Sequence, residues 1–230
     1  MISIIIPTLN EAALLPGTLA ALAANTPGHE VIVVDGGSTD ATLPLARAAG
    51  ARVMVAGRAR RAGQMNLGAT AAAGEALLFL HADTRLAPGG LAALQTALTR
   101  PGVVGGAFAR RFDSPSRLLE WTCRLSDLRG RGLGWFLGDQ GVFVRRATFA
   151  ALGGFREWDW FEDLDFARRL ARAGRVRLIG PPVLSSARRF ARRGPLRTTL
   201  ADSWLTVRYL VRGRPPVRAA SSLACPPAIG

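Results

Sequence analysis

The run "LLFLHADT", Leu77 to Thr84, closes an apolar stretch with His81 and Asp83, in a chain that has only 2 histidines. If the backbone stays extended there, both side chains project from one side of the strand tip, because residues two apart share a face. Imidazole and carboxylate together suit Mg2+, Mn2+ or another divalent ion that also holds the phosphates of a substrate. The same residues could serve structure alone, with Asp83 or Thr84 capping the helix ahead of "PGGLAALQTAL" and His81 a hydrogen-bonded edge residue. A second group of carboxylates sits among aromatics in "WDWFEDLDFARRL". On a helix, Asp163 shares a side with Phe166, Ala167 and Leu170 and so faces the protein body near Trp158, Trp160 and Phe161. There it reads either as a general base or as half of a buried ion pair with an arginine. Glu162 and Asp165 fall further round, toward Arg168 and Arg169.

Other polar groups cluster at the ends of apolar runs. Asn10 and Glu11 follow "SIIIPTL", where Glu11 could simply favour the positive end of a helix entered near Pro16. Asp35 ends "VIVVD", and the following Gly-Gly-Ser-Thr-Asp can form a tight turn and a helix cap, so this motif alone fits structure as well as chemistry. A dinucleotide fingerprint needs G-x-G-x-x-G after the first strand, and "PTLNEA" has none, which disfavours NAD and FAD.

The charge points outward to acidic partners. There are 30 basic residues, all arginine, against 16 acidic ones, for a net charge of +14. Arginine binds phosphates and carboxylates in bidentate fashion, so nucleic acid, an anionic membrane surface or a phosphorylated small molecule are the partner classes. No helix-turn-helix, zinc pattern or RNP-type aromatic motif supports nucleic acid. Arg58, Arg60 and Arg61 follow the third strand, and Arg188, Arg189, Arg192 and Arg193 come late, each run either a solvated face or an anion clamp. Cys123 and Cys225 have neither zinc-site spacing nor a disulfide framework, which suits a reducing cytoplasm.

The elements that must position these groups follow from periodicity. "ISIII", "VIVVD", "RVMV" and "ALLFL" alternate with helix-like segments, which predicts βαβ units and an α/β fold with a mainly parallel sheet flanked by helices. Ligands of such sheets bind beyond the carboxyl ends of the strands, where the tips "PTLNEA", "DGGSTD" and "HADT" gather. After about residue 101, "VGGAFARRF" and "QGVFVRR" read as strands, and "PSRLLEWTCRLSDL" and "FEDLDFARRLARAG" as helices, the last stopped by Gly174. The expectation is one domain over 1–212, with halves of about 1–100 and 101–212, and a disordered tail over 213–230. The start "MISIIIPTLNEA" reads as a strand and not a signal peptide, and no apolar run approaches the roughly 20 residues of a membrane-spanning helix. In "TTLADSWLTVRYLVRG", Leu200, Trp204, Val207 and Val211 recur at helical spacing beside Arg197, Arg208 and Arg212, as in an interfacial helix, although packing on the chain's own domain is the favoured expectation.

Taken together, "SIIIPTLNEA", "VIVVDGGSTDAT", "GRARRAGQMNLGA", "LLFLHADT", "GDQGVFVRR", "LGGF" and "FEDLDFARRL" resemble, in order, the motifs of the family 2 glycosyltransferases over about residues 2 to 190. Within that family, "HADT" and "SARR" are similar to a small subfamily associated with arsenosugar biosynthesis. The resemblance implies the GT-A fold, with a small antiparallel acceptor-side portion, and an inverting transfer from a nucleotide sugar, UDP-linked by expectation, to a small-molecule or lipid-linked acceptor. A polyprenyl-phosphate acceptor would place that transfer at the membrane surface, in peripheral contact. By the same resemblance Thr8, Asn10, Glu11 and Asp35 contact the base and ribose, with Arg58 or a neighbour close to the base. Asp83 binds Mg2+ or Mn2+ at the donor diphosphate, Arg188 assists, and Asp163 is the catalytic base. Glu162, Gln140 and Trp160 are expected on the acceptor side. "HADT" stands where the family has Asp-x-Asp, so His81 touches the metal, the ribose or neither. A nucleotidyltransferase would make similar demands, and a basic nucleic-acid-binding protein is the alternative from another class.

Overall fold

The computed structural model describes residues 1–25 and 28–213. Strand β1, Ile2–Thr8, sets the architecture: Ile4 and Ile6 point to one face and Ile5 to the other, and all three are fully buried. Period-two apolar residues on both faces need cover on both faces, which helices supply. After β1 come α1 (Leu15–Ala23), β2 (His29–Asp35), α2 (Thr42–Ala48), β3 (Arg52–Val55), α3 (Arg61–Ala71) and β4 (Ala76–Phe79). β1 pairs in parallel with β2 and β4, and β2 with β3, as the alternating pattern predicts.

The second half adds β5 (Thr84–Arg85), α4 (Gly90–Thr99), β6 (Val103–Phe112), α5 (Arg117–Leu133), a 3-10 turn over Gly138–Gln140 and β7 (Val142–Arg145). It ends with α6 (Arg146–Ala151), α7 (Glu162–Ala173), β8 (Arg175–Ser185), α8 (Arg188–Arg193) and α9 (Pro195–Arg212). The sheet has 8 strands in the order β3-β2-β1-β4-β7-β6-β8-β5. β7 runs antiparallel to both β4 and β6, β5 is antiparallel to β8, and β6 and β8 are parallel. The mainly parallel sheet with a small antiparallel portion, at β7 and β5, is therefore as expected.

Two cores sandwich this sheet. On one face Ile4, Ile6, Leu78 and Leu80 meet Leu15 and Leu19 of α1 and Leu94 of α4. On the other, Ile5, Leu77 and Phe79 meet Met65 of α3 and Phe166 and Leu170 of α7, with Phe155 packed edge-on against both Phe79 and Phe149, and Phe149 tilted at 35° to Phe79. Burying one such aromatic contributes about 1.5–3 kcal/mol.

The second half also departs from the sequence reading. β8 was not foreseen. The helix expected from "PSRLLEWTCRLSDL" runs on to Leu133, where Gly134 takes the left-handed conformation (φ 66°) that closes it. α9 does pack on the domain, through buried Thr198 and Tyr209, but Leu200, Trp204, Val207 and Val211 are exposed. Among the described residues no helix is long and apolar enough to cross a membrane. Of the tail expected over 213–230, Gly213 caps α9, whereas 214–230, including Cys225, lies outside the described residues. Cys123 is buried and free.

Candidate active site

The tips of β1, β2 and β4 meet at one edge of the sheet, as parallel topology requires. Asp35 is fully buried there. Its carboxylate accepts hydrogen bonds from the Thr8 hydroxyl (3.0 Å), the Ser38 hydroxyl (2.5 Å) and the amides of Gly37 (2.8 Å) and Ser38 (2.7 Å). Asn10, in the left-handed conformation at φ 53°, accepts from the Thr39 amide at 2.9 Å, and its own amide donates to the Ser38 hydroxyl at 2.8 Å. Asp35 and Asn10 thus lock the first two strand tips together. The Gln64 amide group of α3 reinforces the joint by donating to the carbonyls of Thr8 and Val34, both at 2.8 Å.

A cavity of about 290 Å3 opens above these tips, lined by Thr8, Glu11, Arg61, His81, Asp83 and Arg188 among others. Arg58 lines neither this cavity nor its neighbour; Arg61, the first residue of α3, lines both. Arg188 reaches back across the chain to Glu11, donating at 2.9 and 2.5 Å to its two oxygens, and lies 3.3 Å from an oxygen of Asp83. The hydrogen bonds to Glu11, opposed by burial, hold the Arg188 guanidinium above its ordinary pKa.

The adjoining cavity, about 370 Å3, shares Arg61, His81, Asp83 and Arg188 and adds Asp163, Asp139 and an aromatic wall of Phe112, Trp160, Phe161 and Phe190. Trp160 is therefore on the wall of this cavity. Asp163 also lines it: Oδ2 accepts from the Gly138 amide at 2.7 Å, and Oδ1 accepts from the Leu164 amide at 2.7 Å. Asp163 lies in the first turn of α7, directly after Glu162, which opens the helix. The residue before α7, Phe161, caps the helix at φ 62°, a conformation rare for a bulky side chain, and its ring stacks 4.9 Å from Tyr209 of α9. Strain of this kind persists only where surrounding packing over-determines it, and here it aims Glu162 and Asp163 together toward the sheet edge.

Glu162 does not lie near Arg168 and Arg169. It is 1% exposed and hydrogen-bonded to Arg61, whose guanidinium is also 3.7 Å from Asp163. Its direction is set at the first residue of α7, just after the left-handed Phe161. Burial, with the Asp163 charge adding to it and Arg61 opposing, raises the Glu162 pKa. Arg61 is itself held charged, because Glu162 and Asp163 outweigh the cost of burial. Asp165 does pair with Arg169, at 2.8 Å, and with Arg156 at 3.3 Å. Gln140 is fully buried behind the cavity wall, where its carbonyl accepts from the Leu137 amide (3.0 Å) and the Ser126 hydroxyl (3.2 Å). It shapes the turn that carries Gly138.

His81 stands at the junction of the two cavities, its Nε2 3.4 Å from an Arg61 nitrogen. Burial and the Arg61 charge push its pKa below the ordinary 6.5, against the pull of Asp83, Asp139 and Asp163. The ring is thus neutral near pH 7 and keeps a lone pair for a donor or a cation. Among the described residues no three His, Cys, Asp or Glu side chains converge to cage a metal. Asp83 and His81 offer two donors of oxygen and nitrogen type, which suits a cation completed by substrate phosphates and water. Asp139 and Arg110 form an ion pair that the sequence did not announce: Arg110 is 7% exposed in its side chain, and Oδ1 of Asp139 is buried without a partner.

The family model described as "Glycosyl transferase family 2" matches residues 3–152. The chain belongs to glycosyltransferase family 2. The match takes in the strand tips and the Gly138 turn, and it ends before α7. A PGL/p-HBAD biosynthesis glycosyltransferase of Mycobacterium bovis is 45% identical to this family 2 chain over 93 residues, 37% of the chain and 36% of the relative. The match thus spans little more than a third of that curated relative's length. Among solved structures, a mannosyltransferase from Pyrobaculum calidifontis in complex with GDP-Man and Mn2+ superposes with a TM-score of 0.64 at 24% identity, covering 80% of this chain and 56% of that one. Glucosyl-3-phosphoglycerate synthase from Mycobacterium tuberculosis, in complex with Mn2+, UDP and glucosyl-3-phosphoglycerate, gives 0.59 at 22% identity, covering 81% and 70%. These likenesses establish the GT-A fold for this family 2 chain.

Proposed function

We propose that this chain is an inverting glycosyltransferase that moves a sugar from a nucleoside-diphosphate donor to an acceptor hydroxyl. The observation that carries the reading is that Asp163, at the start of α7, lines one cavity with His81 and Asp83, while Asp83 and Arg188 continue into the cavity above the β1 tip. A general base and a diphosphate site are thus adjacent.

In this reading the base and ribose lie toward Thr8, Asn10, Glu11 and Asp35, with Arg61 taking the place expected of Arg58. Arg188 holds the donor diphosphate. Asp83 with His81 would hold Mg2+ or Mn2+, which supplies positive charge to the departing diphosphate. The complexes of the two solved relatives, with GDP-Man and Mn2+ in one and UDP and Mn2+ in the other, support that class of ligand. Asp163 takes the acceptor proton; the Gly138 and Leu164 amides fix the plane of its carboxylate, and each oxygen retains a lone pair. Attack from the side opposite the diphosphate inverts the anomeric carbon. The aromatic wall, Trp160 included, offers apolar faces to an acceptor, small or lipid-linked. Glu162 acts through Arg61, and Gln140 through the turn. The narrower likeness to the arsenosugar-associated subfamily rests on "HADT" and "SARR".

The test is a thermal-shift panel of nucleotides and nucleotide sugars with and without Mn2+, followed by product analysis with the donor that binds. The expected product is nucleoside diphosphate; release of pyrophosphate would instead assign a nucleotidyltransferase. Asp163→Asn should lower transfer by at least about a hundredfold while the donor-induced thermal shift remains. Full activity in that variant would sink the base assignment.

A further inference from the structure

Helix α9 is two-sided in an unusual sense. Its inner side is occupied, with Thr198 and Tyr209 buried and Leu205 and Thr206 on the wall of the larger cavity. Its outer side carries Leu196, Leu200, Trp204, Val207 and Val211 at helical spacing, all exposed, Trp204 at 60% and Val211 at 80%. The neighbouring helix α5, which contacts α9, presents a second stripe of Trp121, Leu125 and Leu128, also exposed. Single exposed apolar residues are ordinary on a protein surface, but two stripes with two indoles on adjoining helices are not.

The charges around these stripes select what can cover them. Arg197, Arg208 and Arg212 lie on α9, Arg192 and Arg193 end α8 just before it, and Arg131 lies on α5, whose Arg124 is paired at 2.7 Å with Glu120. The single carboxylate of α9, Asp202, is paired with Arg189. The Arg208 guanidinium sits 5.4 Å from the centre of the Trp204 ring, at the border of the apolar stripe. A second copy of the chain would bring another +14 against this rim, whereas an anionic surface is attracted to it. Arginines flanking a stripe of Trp, Leu and Val are the composition of a helix that lies in the headgroup region, with apolar side chains toward the acyl chains and guanidinium groups on lipid phosphates.

We infer that α5 and α9 form a docking surface for an anionic lipid bilayer. Because α9 also walls the larger cavity, docking holds that cavity about one helix diameter, ~10 Å, from the lipid. The inference does not depend on the glycosyl-transfer reading, and its test needs no substrate.

The experiment is flotation of the full chain with vesicles of phosphatidylcholine alone or mixed with phosphatidylglycerol. Two variants accompany it, Trp204→Ser with Val207→Ser, and Trp121→Ser with Leu125→Ser, each checked for an unchanged melting temperature. The expected result is flotation with the mixed vesicles only, weakened by salt and reduced about tenfold by either pair of substitutions. Absence of flotation, or equal flotation of both variants, would overturn the docking surface; the latter would leave charge alone as the cause. Concentration-dependent dimerisation that the same substitutions abolish would also overturn it, by assigning the face to a second copy.

Discussion

The Gly138 amide donates a 2.7 Å hydrogen bond to Oδ2 of Asp163 from 25 residues away, and Gly138 also backs directly onto the His81 ring. A methyl group at position 138 would stand 2.8 Å from His81 Nε2 and 3.1 Å from Asp163 Oδ2. Both are side-chain ends and can shift, and Gly138 is not among the residues with positive φ, so Gly138→Ala displaces the site without straining the backbone. Transfer should fall by about a hundredfold while the melting temperature moves little. Steady-state kinetics beside a thermal melt tests this, and a variant with full turnover would detach Gly138 from the chemistry.

Arg61 holds together groups from three parts of the chain. Replacing it with Met leaves Glu162 buried and without its guanidinium. Because the Arg61 side chain is 41% exposed, the loss should fall below the about 3–5 kcal/mol of a fully buried pair, at about 1–3 kcal/mol, and Arg61→Met with Glu162→Gln should recover much of it. Urea midpoints for the two single variants and the double variant give the coupling, and additive losses would contradict it.

Stability in acid should depend on Asp139. Burial pushes its carboxyl up, but Arg110, then His81, outweigh this and hold it below the ordinary 3.8. The unfolded chain then binds the proton more readily than the folded one. This contribution is complete above the unfolded pKa and is lost as pH falls through the folded value. Asp139→Asn, which leaves Arg110 buried and unpaired, should cost about 3–5 kcal/mol at neutral pH, and the gap to wild type should narrow on acidification. Urea melts from about pH 7 to about pH 3 measure the gap; a constant difference would contradict the assignment.

His81→Asp tests the coordination of a divalent ion. If the imidazole is a ligand, exchanging nitrogen for oxygen should shift preference from Mn2+ toward Mg2+. Donor-induced thermal shifts with each ion read the preference directly. An unchanged ratio would place His81 beside the ion and not in its shell.

The nucleotide half was legible because its signals are local. Ile4, Ile5 and Ile6 alternate between two cores, and the strand tips follow at once from parallel topology. β8 was not legible, because Pro181 and Pro182 interrupt "RVRLIGPPVLS". In the sheet they fall where the pairing slips, between Phe108 opposite Ile179 and Arg110 opposite Val183, so the prolines occupy an irregular position in the ladder. Asp163 was legible from helical periodicity. Glu162 was misplaced, since its direction depends on where Phe161 starts the helix, and a left-handed Phe has no sequence signature. Likewise, three arginines within four residues could not be told apart until α3 began at Arg61. Asp139 had only the "GDQ" before a strand as its signal, and its partner Arg110 lies on a strand read for its apolar face.

The Arg188–Glu11 pair joins the tip of the first strand to the helix that follows the last one, and the same guanidinium leans on Asp83. The free protein is therefore not an open, unbalanced electrode waiting for a counter-ion. It is already short-circuited by its own carboxylates, so any anion that recruits Arg188 must evict Glu11, and any cation that takes Asp83 must evict Arg188. Occupancy of the cleft is an exchange of partners at nearly constant local charge, and ligands that arrive as a matched anion–cation pair disturb that balance least.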